Sequence, residues 1–311
     1  MSRLLFFFLL LVSSSLIAQN RYNNNWIDYG HEGWGPGHWL QIAPGIMGPN
    51  ALPVPRMDYA LVGNKYKIEV GADYHYMPGD TSVNSFLLFY WPVVPGKVAV
   101  EIYGQPSETF RTSDELRSVR QIWYNDPGWK TIPGDLLVCT YIQLIRDKFF
   151  FPDISISYTI KSSTGDNIDA RYTNSTMNNF CLAFGKSFYI NKLLIDEIRI
   201  AGLGGFYVWE TNINDMAQDE GPVYLLGLQL QKAGYSIFTE IGGYSAYGAY
   251  NHLEPVVGQT IEDYNDPLIF RGRIEKTGSK FNVKAEYQTG LNNDYPYQTF
   301  RLGFVYKFAV N

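Results

Sequence analysis

Residues 66 to 76 read YKIEVGADYHY, and their side chains alternate strictly between two kinds. One kind is large or apolar and occupies Tyr66, Ile68, Val70, Ala72, Tyr74 and Tyr76. The other is small or polar and occupies Lys67, Glu69, Gly71, Asp73 and His75. Since successive side chains of a β-strand point to opposite faces, this alternation predicts one strand with an apolar face and a polar face.

The length of this strand is unusual for a water-soluble sheet, in which strands average about five or six residues. Ten steps of about 3.3 Å, tilted near 45°, rise about 23 Å. That rise matches the apolar band, about 25 Å tall with aromatic residues at both rims, of a β-barrel that crosses a membrane. An exported β-sandwich would explain the alternation, but neither the strand length nor the bracketing Tyr66 and Tyr76.

The same alternation recurs along the chain, in DISISYTIK (153–161), YLLGLQLQK (224–232), FNVKAEYQTG (281–290) and FRLGFVYKF (300–308). Aromatic residues make up 16% of the chain, which favours strands over helices. The stretch SFLLFYWPVV (85–94) departs from the pattern because it is apolar on both faces. Either this strand covers an internal plug, or its register differs from the one assumed here.

The connections between the predicted strands alternate in length. The long ones are residues 105–133, 162–176, 210–221 and 250–265, together with the loop 291–297. The tight ones are VVPGK (93–97), RDKF (146–149), NKLL (191–194), QKAG (231–234) and KTGS (276–279). Outer-membrane barrels place long loops outside and short turns on the periplasmic side. Counting from Tyr66 gives about twelve strands, an even number, with the C-terminus in the periplasm.

The first twenty residues, MSRLLFFFLLLVSSSLIAQN, have the order of a secretory signal peptide cleaved after Ala18. The alternative is a short membrane anchor, but the apolar run Leu4–Val12 is far shorter than the roughly 20 residues that span a bilayer. No cysteine follows the run, which argues against a lipoprotein anchor. The sequence therefore predicts an exported protein.

The signal peptide, the long alternating strands and the ending FRLGFVYKF resemble a Gram-negative outer-membrane β-barrel protein of the porin-like kind. The resemblance covers roughly residues 65 to 308 and identifies no characterised transport family. It implies an all-β, antiparallel, up-and-down barrel of about 12 strands, with 14 as the alternative, in the outer membrane. It also implies two partners, outer-membrane lipid and the barrel-assembly machinery that reads the last strand. Ala309-Val310-Asn311 follow Phe308, which departs from a strict terminal aromatic residue.

If the apolar side chains face lipid, the polar ones face the lumen, because an Arg or Lys at the lipid midplane costs about 2–4 kcal/mol. The predicted lumen residues are Lys67, Glu69, Asp73, His75, Arg271, Arg273, Glu275, Lys284, Glu286, Arg301 and Lys307. The predicted aromatic girdle consists of Tyr66, Tyr76, Phe300, Tyr306 and Phe308. The lumen charges have two interpretations: a paired network that fills a narrow barrel, or the polar lining of a pore.

The favoured function is passive or weakly selective passage of small polar or anionic solutes. In the last three strands Arg271, Arg273, Lys284, Arg301 and Lys307 outnumber Glu275 and Glu286, and a ring of cations would concentrate anions. One alternative is a closed structural or adhesion barrel whose long loops bind an extracellular or periplasmic protein. A lipid-modifying enzyme is the third hypothesis, but no catalytic constellation stands out and no enzyme is expected. The net charge of −5 gives no indication of nucleic-acid binding.

Residues 19–64, between the signal peptide (1–18) and the barrel (65–311), are predicted to be mostly irregular. The stretch GPNALPVPR (48–56) carries three prolines, which disfavour strands. The segment has three interpretations: a periplasmic leader, a plug, or two further strands. Asp28, His31, Glu32 and His38 match no specific metal-site spacing, so neither a metal nor a cofactor is expected.

Two local features complete the expectations. In TSDELRSVRQIW (112–123), Thr112 and Glu115 have capping-box spacing, which predicts a short helix in the longest loop. The two cysteines, Cys139 and Cys181, fall on the face assigned to the interior. Two packed free thiols are favoured there, with one disulfide as the alternative in an oxidising compartment.

Overall fold

The structure of the chain is a computed structural model. It describes residues 44–120, 122, 128–146, 148–166, 168–173, 175–190, 195–213, 216–245 and 266–309. The signal peptide, the Asp28–His38 stretch, the turn 191–194 and the loop 250–265 lie outside these residues.

Fourteen strands and one helix form the described structure. The strands are β1 (Tyr66–Met77), β2 (Asp80–Val94), β3 (Val98–Gly104), β4 (Glu108–Thr112), β5 (Lys130–Ile132), β6 (Leu136–Ile145), β7 (Asp153–Lys161), β8 (Met177–Tyr189), β9 (Glu197–Ile213), β10 (Met216–Lys232), β11 (Tyr235–Tyr244), β12 (Leu268–Thr277), β13 (Phe281–Gly290) and β14 (Gln298–Phe308). The helix is α1 (Asp114–Val119), and a 3-10 turn spans Ile168–Ala170. None of the helices in the described ranges is long and apolar enough to cross a membrane.

Twelve of the strands close into an antiparallel barrel, which confirms the predicted architecture. The ring consists of β1–β3 and β6–β14, and it closes because β1 pairs with both β2 and β14. The two remaining strands, β4 and β5, extend the wall. While β3 pairs with the second half of β2, β4 pairs with Asp80–Asn84, and β5 pairs with β4. Residues 44–64 contain none of the further strands that the fourteen-strand alternative would need, and residues 19–43 lie outside the described residues.

The barrel has two distinct ends. At the turn end lie the short connections 95–97, 233–234 and 278–280 and the last residues of β14. At the loop end lie the connections 162–176 and 291–297 and the segment that contains β4, α1 and β5. The β1–β2 connection is also at the loop end but is tight, with Gly79 at φ 85°, a conformation that suits glycine.

Two sequence predictions about the loops need correction. Residues 210–221 are not a long loop, because β9 continues to Ile213 and β10 starts at Met216. The backbone ladder of this hairpin continues beyond the residues whose side chains alternate. Helix α1 exists, but its N-cap is Ser113, whose hydroxyl accepts a hydrogen bond from Leu116 N–H at 3.3 Å. The capping-box assignment of Thr112 is therefore off by one residue.

The outer surface of the wall is apolar, as a lipid-facing surface must be. Large side chains stand exposed on it, among them Leu226 (66%), Leu302 (65%) and Phe304 (61%). The five predicted girdle residues share this outer face. Three of them lie at the turn end, where the Tyr66 ring stacks on Phe308 at 5.2 Å and Phe308 stacks on Tyr306 at 5.5 Å. Tyr76 and Phe300 lie toward the loop end.

Candidate functional site: the barrel lumen

Residues 44–64, here called the lumen segment, run lengthwise through the barrel. At the loop end, Gly48 N–H donates to the Ala170 carbonyl at 2.8 Å. At the turn end, the Gly63 carbonyl accepts from Gly96 N–H at 3.1 Å. Met47, at 0% exposure, is among its buried side chains. The segment thus fills the interior of the ring without forming a strand or helix.

Side chains of the wall hydrogen-bond to the backbone of the lumen segment. The Tyr244 hydroxyl donates to the Leu52 carbonyl at 2.8 Å, and Arg199 Nε donates to the Tyr59 carbonyl at 2.9 Å. Other carbonyls accept from further wall residues: Ile46 from Arg120, Val54 and Pro55 from Arg271, Ala60 from Gln143, and Val62 from Arg146. Since prolines lack a donor and a buried carbonyl needs a partner, the wall supplies the bonds that a regular element would make internally.

Apolar packing fixes the segment on one side. Val62 is buried against Phe86, Leu88 and Tyr90 of β2 and against Ala99 of β3. This contact explains why SFLLFYWPVV is apolar on both faces: one face meets lipid and the other meets the lumen segment. Of the two interpretations of that stretch, the internal plug agrees with the packing.

All eleven predicted lumen residues lie on the inward face of their strands. Seven are buried: Glu69, Asp73, His75, Arg271, Lys284, Glu286 and Arg301. Four are partly buried: Lys67, Arg273, Glu275 and Lys307. His75 is the one histidine among the described residues, and Thr299 Oγ1 lies 2.7 Å from its Nδ1. The described part of the chain therefore has no histidine on the lipid-facing surface.

Most charges of the late strands are paired across strands. Arg301 binds both oxygens of Asp73, with Nε at 2.5 Å and Nη2 at 2.6 Å. Arg271 Nη1 lies 2.8 Å from Glu240, and other pairs join Lys284 to Glu69 at 2.6 Å and Arg199 to Asp153 at 2.7 Å.

Three of the five cations counted in the last three strands, Arg271, Lys284 and Arg301, therefore have carboxylate partners, as in the paired-network interpretation. Counting residues in the last three strands omitted Glu69 and Asp73 on β1 and Glu240 on β11. Because sheet neighbours can be far apart in sequence, a count along a few strands does not give the charge balance of a lumen.

A second group of charges, here called the loop-end cluster, consists of Asp80, Glu108, Arg120, Arg171 and Tyr297. Arg171 donates to the carboxylates of both Asp80 and Glu108. Asp80 also accepts from Tyr297 Oη at 2.6 Å and pairs with Arg120 Nη1 at 2.9 Å. The cluster ties the loop 162–176 to three other parts of the loop end.

Burial in the loop-end cluster affects two of its groups outside the strands. Burial disfavours the charged form of Arg171, but the carboxylates of Asp80 and Glu108 outweigh it and hold the pKa of Arg171 well above its ordinary value. Burial also raises the pKa of the Tyr297 hydroxyl, so it stays a hydrogen-bond donor. Sequence reasoning missed this cluster because Arg171 and Tyr297 lie in loops and carry no periodic signal.

Space remains in the lumen beside Arg56, a residue of the lumen segment. A cavity of about 80 Å³ lies around Asn50 and Arg301. A larger one of about 290 Å³, here called the turn-end cavity, is lined by Lys67, Lys307 and other inward residues. Arg56 and Tyr141 line both cavities.

No group of three metal-ligating side chains occurs in the portion of the chain that the structure describes. Cys139 and Cys181 are both buried and free, so the disulfide alternative is not formed.

No family model and no curated protein matches the chain. Solved structures do match. One is a COG4313 outer membrane channel from Pseudomonas putida F1, with a TM-score of 0.56 and 13% identity over 82% of this chain and 100% of that one. Others are the Acinetobacter baumannii outer membrane protein Omp33, with a TM-score of 0.34 and 11% identity over 79% and 100%, and the Escherichia coli outer membrane phospholipase A, with 0.36 and 9% over 86% and 98%. The fold is that of the Gram-negative outer-membrane β-barrels, an assignment that rests on the first match and on the barrel itself.

Proposed function

We propose that this protein is an outer-membrane channel that the lumen segment closes at rest, and that small polar or anionic solutes pass when the segment moves. The observation that carries the proposal is the way in which the segment is held. It is held by isolated hydrogen bonds, chiefly from side chains around it to its carbonyls, by two backbone bonds at Gly48 and Gly63, and by apolar packing around Val62, and no strand pairing fixes it to the wall. A segment held in this way can leave without breaking the barrel.

The route that such a movement would open is polar along its length. Ionisable side chains face the lumen from His75, near the loop end, to Lys307, near the turn end. The two cavities already occupy part of this route, and Arg56 lines both of them. Export by a signal peptide cleaved after Ala18 and insertion by the barrel-assembly machinery belong to the same proposal.

A channel is also the described role of the Pseudomonas putida F1 protein that shares this fold. At 13% identity the likeness speaks for the fold alone, so the proposal depends on the lumen of this chain. The balance of paired charges there favours weak rather than strong anion selectivity.

Conductance in planar lipid bilayers tests the proposal. Deleting residues 19–56 removes most of the lumen segment and should raise single-channel conductance above that of the full chain. Tyr244→Phe is a milder variant, since it keeps the ring and removes the bond from the hydroxyl to the Leu52 carbonyl. Losing one hydrogen bond worth about 1 kcal/mol should raise the open fraction about fivefold. Tyr224→Phe is the matched control, because Tyr224 lies on the outer face, 43% exposed.

A barrel that stays closed in the deletion and in Tyr244→Phe, while circular dichroism shows intact strands, would refute the channel. The second candidate, a closed barrel whose loops bind a protein partner, would then stand first. One observation favours it: the loop-end cluster joins several loops through side chains that are almost completely buried. Such interlocked loops would present a fixed surface to a partner.

A further inference from the structure

We infer that the turn-end cavity binds a small organic carboxylate, held by Arg56, Lys67 and Lys307. This inference rests on the proposed function and names the class of solute for the same lumen. The experiment below measures binding separately from conduction, so that the failure of either one can be recognised.

Arg56 is the first observation that points to an anion. Among the described residues its guanidinium makes no hydrogen bond and has no carboxylate within 4.0 Å, and its Nη1 is buried without a partner. Its neighbours include two aromatic rings, Phe86 at 5.7 Å and Tyr103 at 5.8 Å from the ring centroid. A buried donor without a hydrogen-bond partner is costly, and a carboxylate ligand that accepts two parallel bonds from the guanidinium would supply that partner.

Lys67 and Lys307 are the second, independent observation. They lie directly opposite each other in the β1–β14 register, with both side chains on the inward face. Like charges in directly opposed positions destabilise a sheet. No carboxylate in the described ranges forms an ion pair with either ammonium group, and Lys67 Nζ instead lies 4.6 Å from the Tyr90 ring centroid. An anion between the two lysines would convert a repulsive pair into a binding site.

The acidic residues that line the same cavity are largely engaged. Glu69 pairs with Lys284 at 2.6 Å, and Glu275 lies 4.0 Å from Arg273. The carboxylate of Asp58 accepts hydrogen bonds from Ala60 N–H and the Ser155 hydroxyl.

Glu101 accepts a bond of 3.4 Å from the Tyr141 hydroxyl and has no ion pair with a described cation. Three unpaired cations therefore share the cavity with two acids, Glu101 and the hydrogen-bonded Asp58. The balance leaves one positive charge available to a ligand.

The size and the apolar part of the cavity define the class of anion. A volume of about 290 Å³ is far more than a single water needs and admits a small organic molecule. Leu61, Leu88, Phe238 and Val305 contribute apolar surface to the lining. A carboxylate with a carbon chain of about four to six atoms would use both the cations and this surface, whereas inorganic phosphate would use the cations alone.

Isothermal titration of the purified, full-length barrel in detergent with succinate tests the inference. We expect saturable binding that is weaker for phosphate and absent for choline, a small cation. Arg56→Gln, Lys67→Gln and Lys307→Gln should each weaken succinate binding about tenfold or more, as expected for losing a bond to a charged group. Arg146→Gln is the matched control. It changes the charge equally and touches the same lumen segment through the Val62 carbonyl, but Arg146 does not line the cavity.

Three results would overturn the inference: no saturable heat with succinate, equal binding of succinate and choline, or equal weakening by Arg146→Gln and the three cavity variants. If Arg56→Gln fails to fold by circular dichroism, Lys67→Gln and Lys307→Gln decide the outcome, because each only relieves a like-charge contact. Succinate binding by a barrel that never conducts would keep the binding site and refute the channel. Conductance without succinate binding would do the reverse.

Discussion

The loop-end cluster and the turn-end cavity are two groups of buried charges inside one barrel, and they differ in how their charges are satisfied. In the loop-end cluster, Arg171 and Arg120 face Asp80 and Glu108 at ion-pair distance, with side chains almost completely removed from solvent. In the turn-end cavity, Arg56 and two opposed lysines have no such partners among the described residues.

This difference separates two uses of buried charge. A buried ion pair contributes little net stability, but removing one partner leaves the other charge uncompensated. The loop-end cluster is complete and holds loops together. The turn-end cavity is incomplete, and a small anion from outside would complete it. Substitutions at the two ends should therefore have opposite consequences for stability.

The largest effect is expected for Arg171→Met, which leaves Glu108 without its cation and Asp80 with Arg120 alone. The free energy of unfolding should fall by about 3–5 kcal/mol. Urea denaturation of the detergent-solubilised protein, followed by tryptophan fluorescence, measures the change. Arg111→Met on the outer face of β4 is the control and should change stability by less than about 0.5 kcal/mol. Equal losses in the two variants would show that the loop-end cluster contributes no more to the free energy of unfolding than an exposed arginine does.

A smaller effect is expected from the Arg301–Asp73 pair, which lies between the two regions. In a double-mutant cycle with Arg301→Gln and Asp73→Asn, the two residues should couple by about 1–3 kcal/mol, because they share two short hydrogen bonds. The same urea titrations provide the four free energies. Additive losses would contradict the pairing.

At the turn end, a substitution should no longer lower the free energy of unfolding. Lys67→Gln removes one of two opposed ammonium groups, so stability should stay constant or rise by up to about 1 kcal/mol in the absence of added anion. Succinate should stabilise the wild type more than this variant. A loss above 1 kcal/mol in buffer alone would mean that Lys67 already has a stabilising partner.

The smallest effect concerns Asp196, a partly exposed residue directly before β9. Its hydrogen bond from Lys232, at 2.5 Å, and then one from Ala233 N–H lower the pKa of its carboxyl below the ordinary value. A lowered acid pKa gives stability that is present above the unfolded pKa, about 3.9, and is lost as pH falls through the folded value. The stability difference between wild type and Asp196→Asn should thus be constant from pH 7 to 5 and vanish in stronger acid. Thermal melts across this range measure it, and a difference that grows on acidification would contradict it.

Strand geometry made the fold predictable from sequence, because alternation is a local property. It placed Lys67, Asp73 and Arg301 on the inward face before any partner was known. It could not pair Asp73 with Arg301, which are 228 residues apart. Nor could alternation show that the pairing of β9 with β10 extends into residues 210–221, beyond the residues whose side chains alternate.

The candidate site was predicted only in part, for the same reason. Alternation supplied Lys67 and Lys307, but their opposed position depends on the register between the first and last strands. Arg56 lies in a proline-rich stretch without periodicity, so nothing local marked it as a lumen residue. Arg171 likewise became recognisable only once the loop was placed over Asp80.

The threaded position of the lumen segment has a kinetic consequence. The segment leads directly into β1, and β1 closes the ring against β14, the last of the described strands in chain order. A ring that closed first would have to admit some twenty residues end-on past buried ion pairs. The wall must instead wrap around a segment already in place, so assembly waits for contacts between residues about 190 to 250 positions apart. Such distant contacts make folding slow. Pairing of β1 with β14 is then the final step of assembly. The hydrogen bond from Arg301 to Asp73 holds these two strands together.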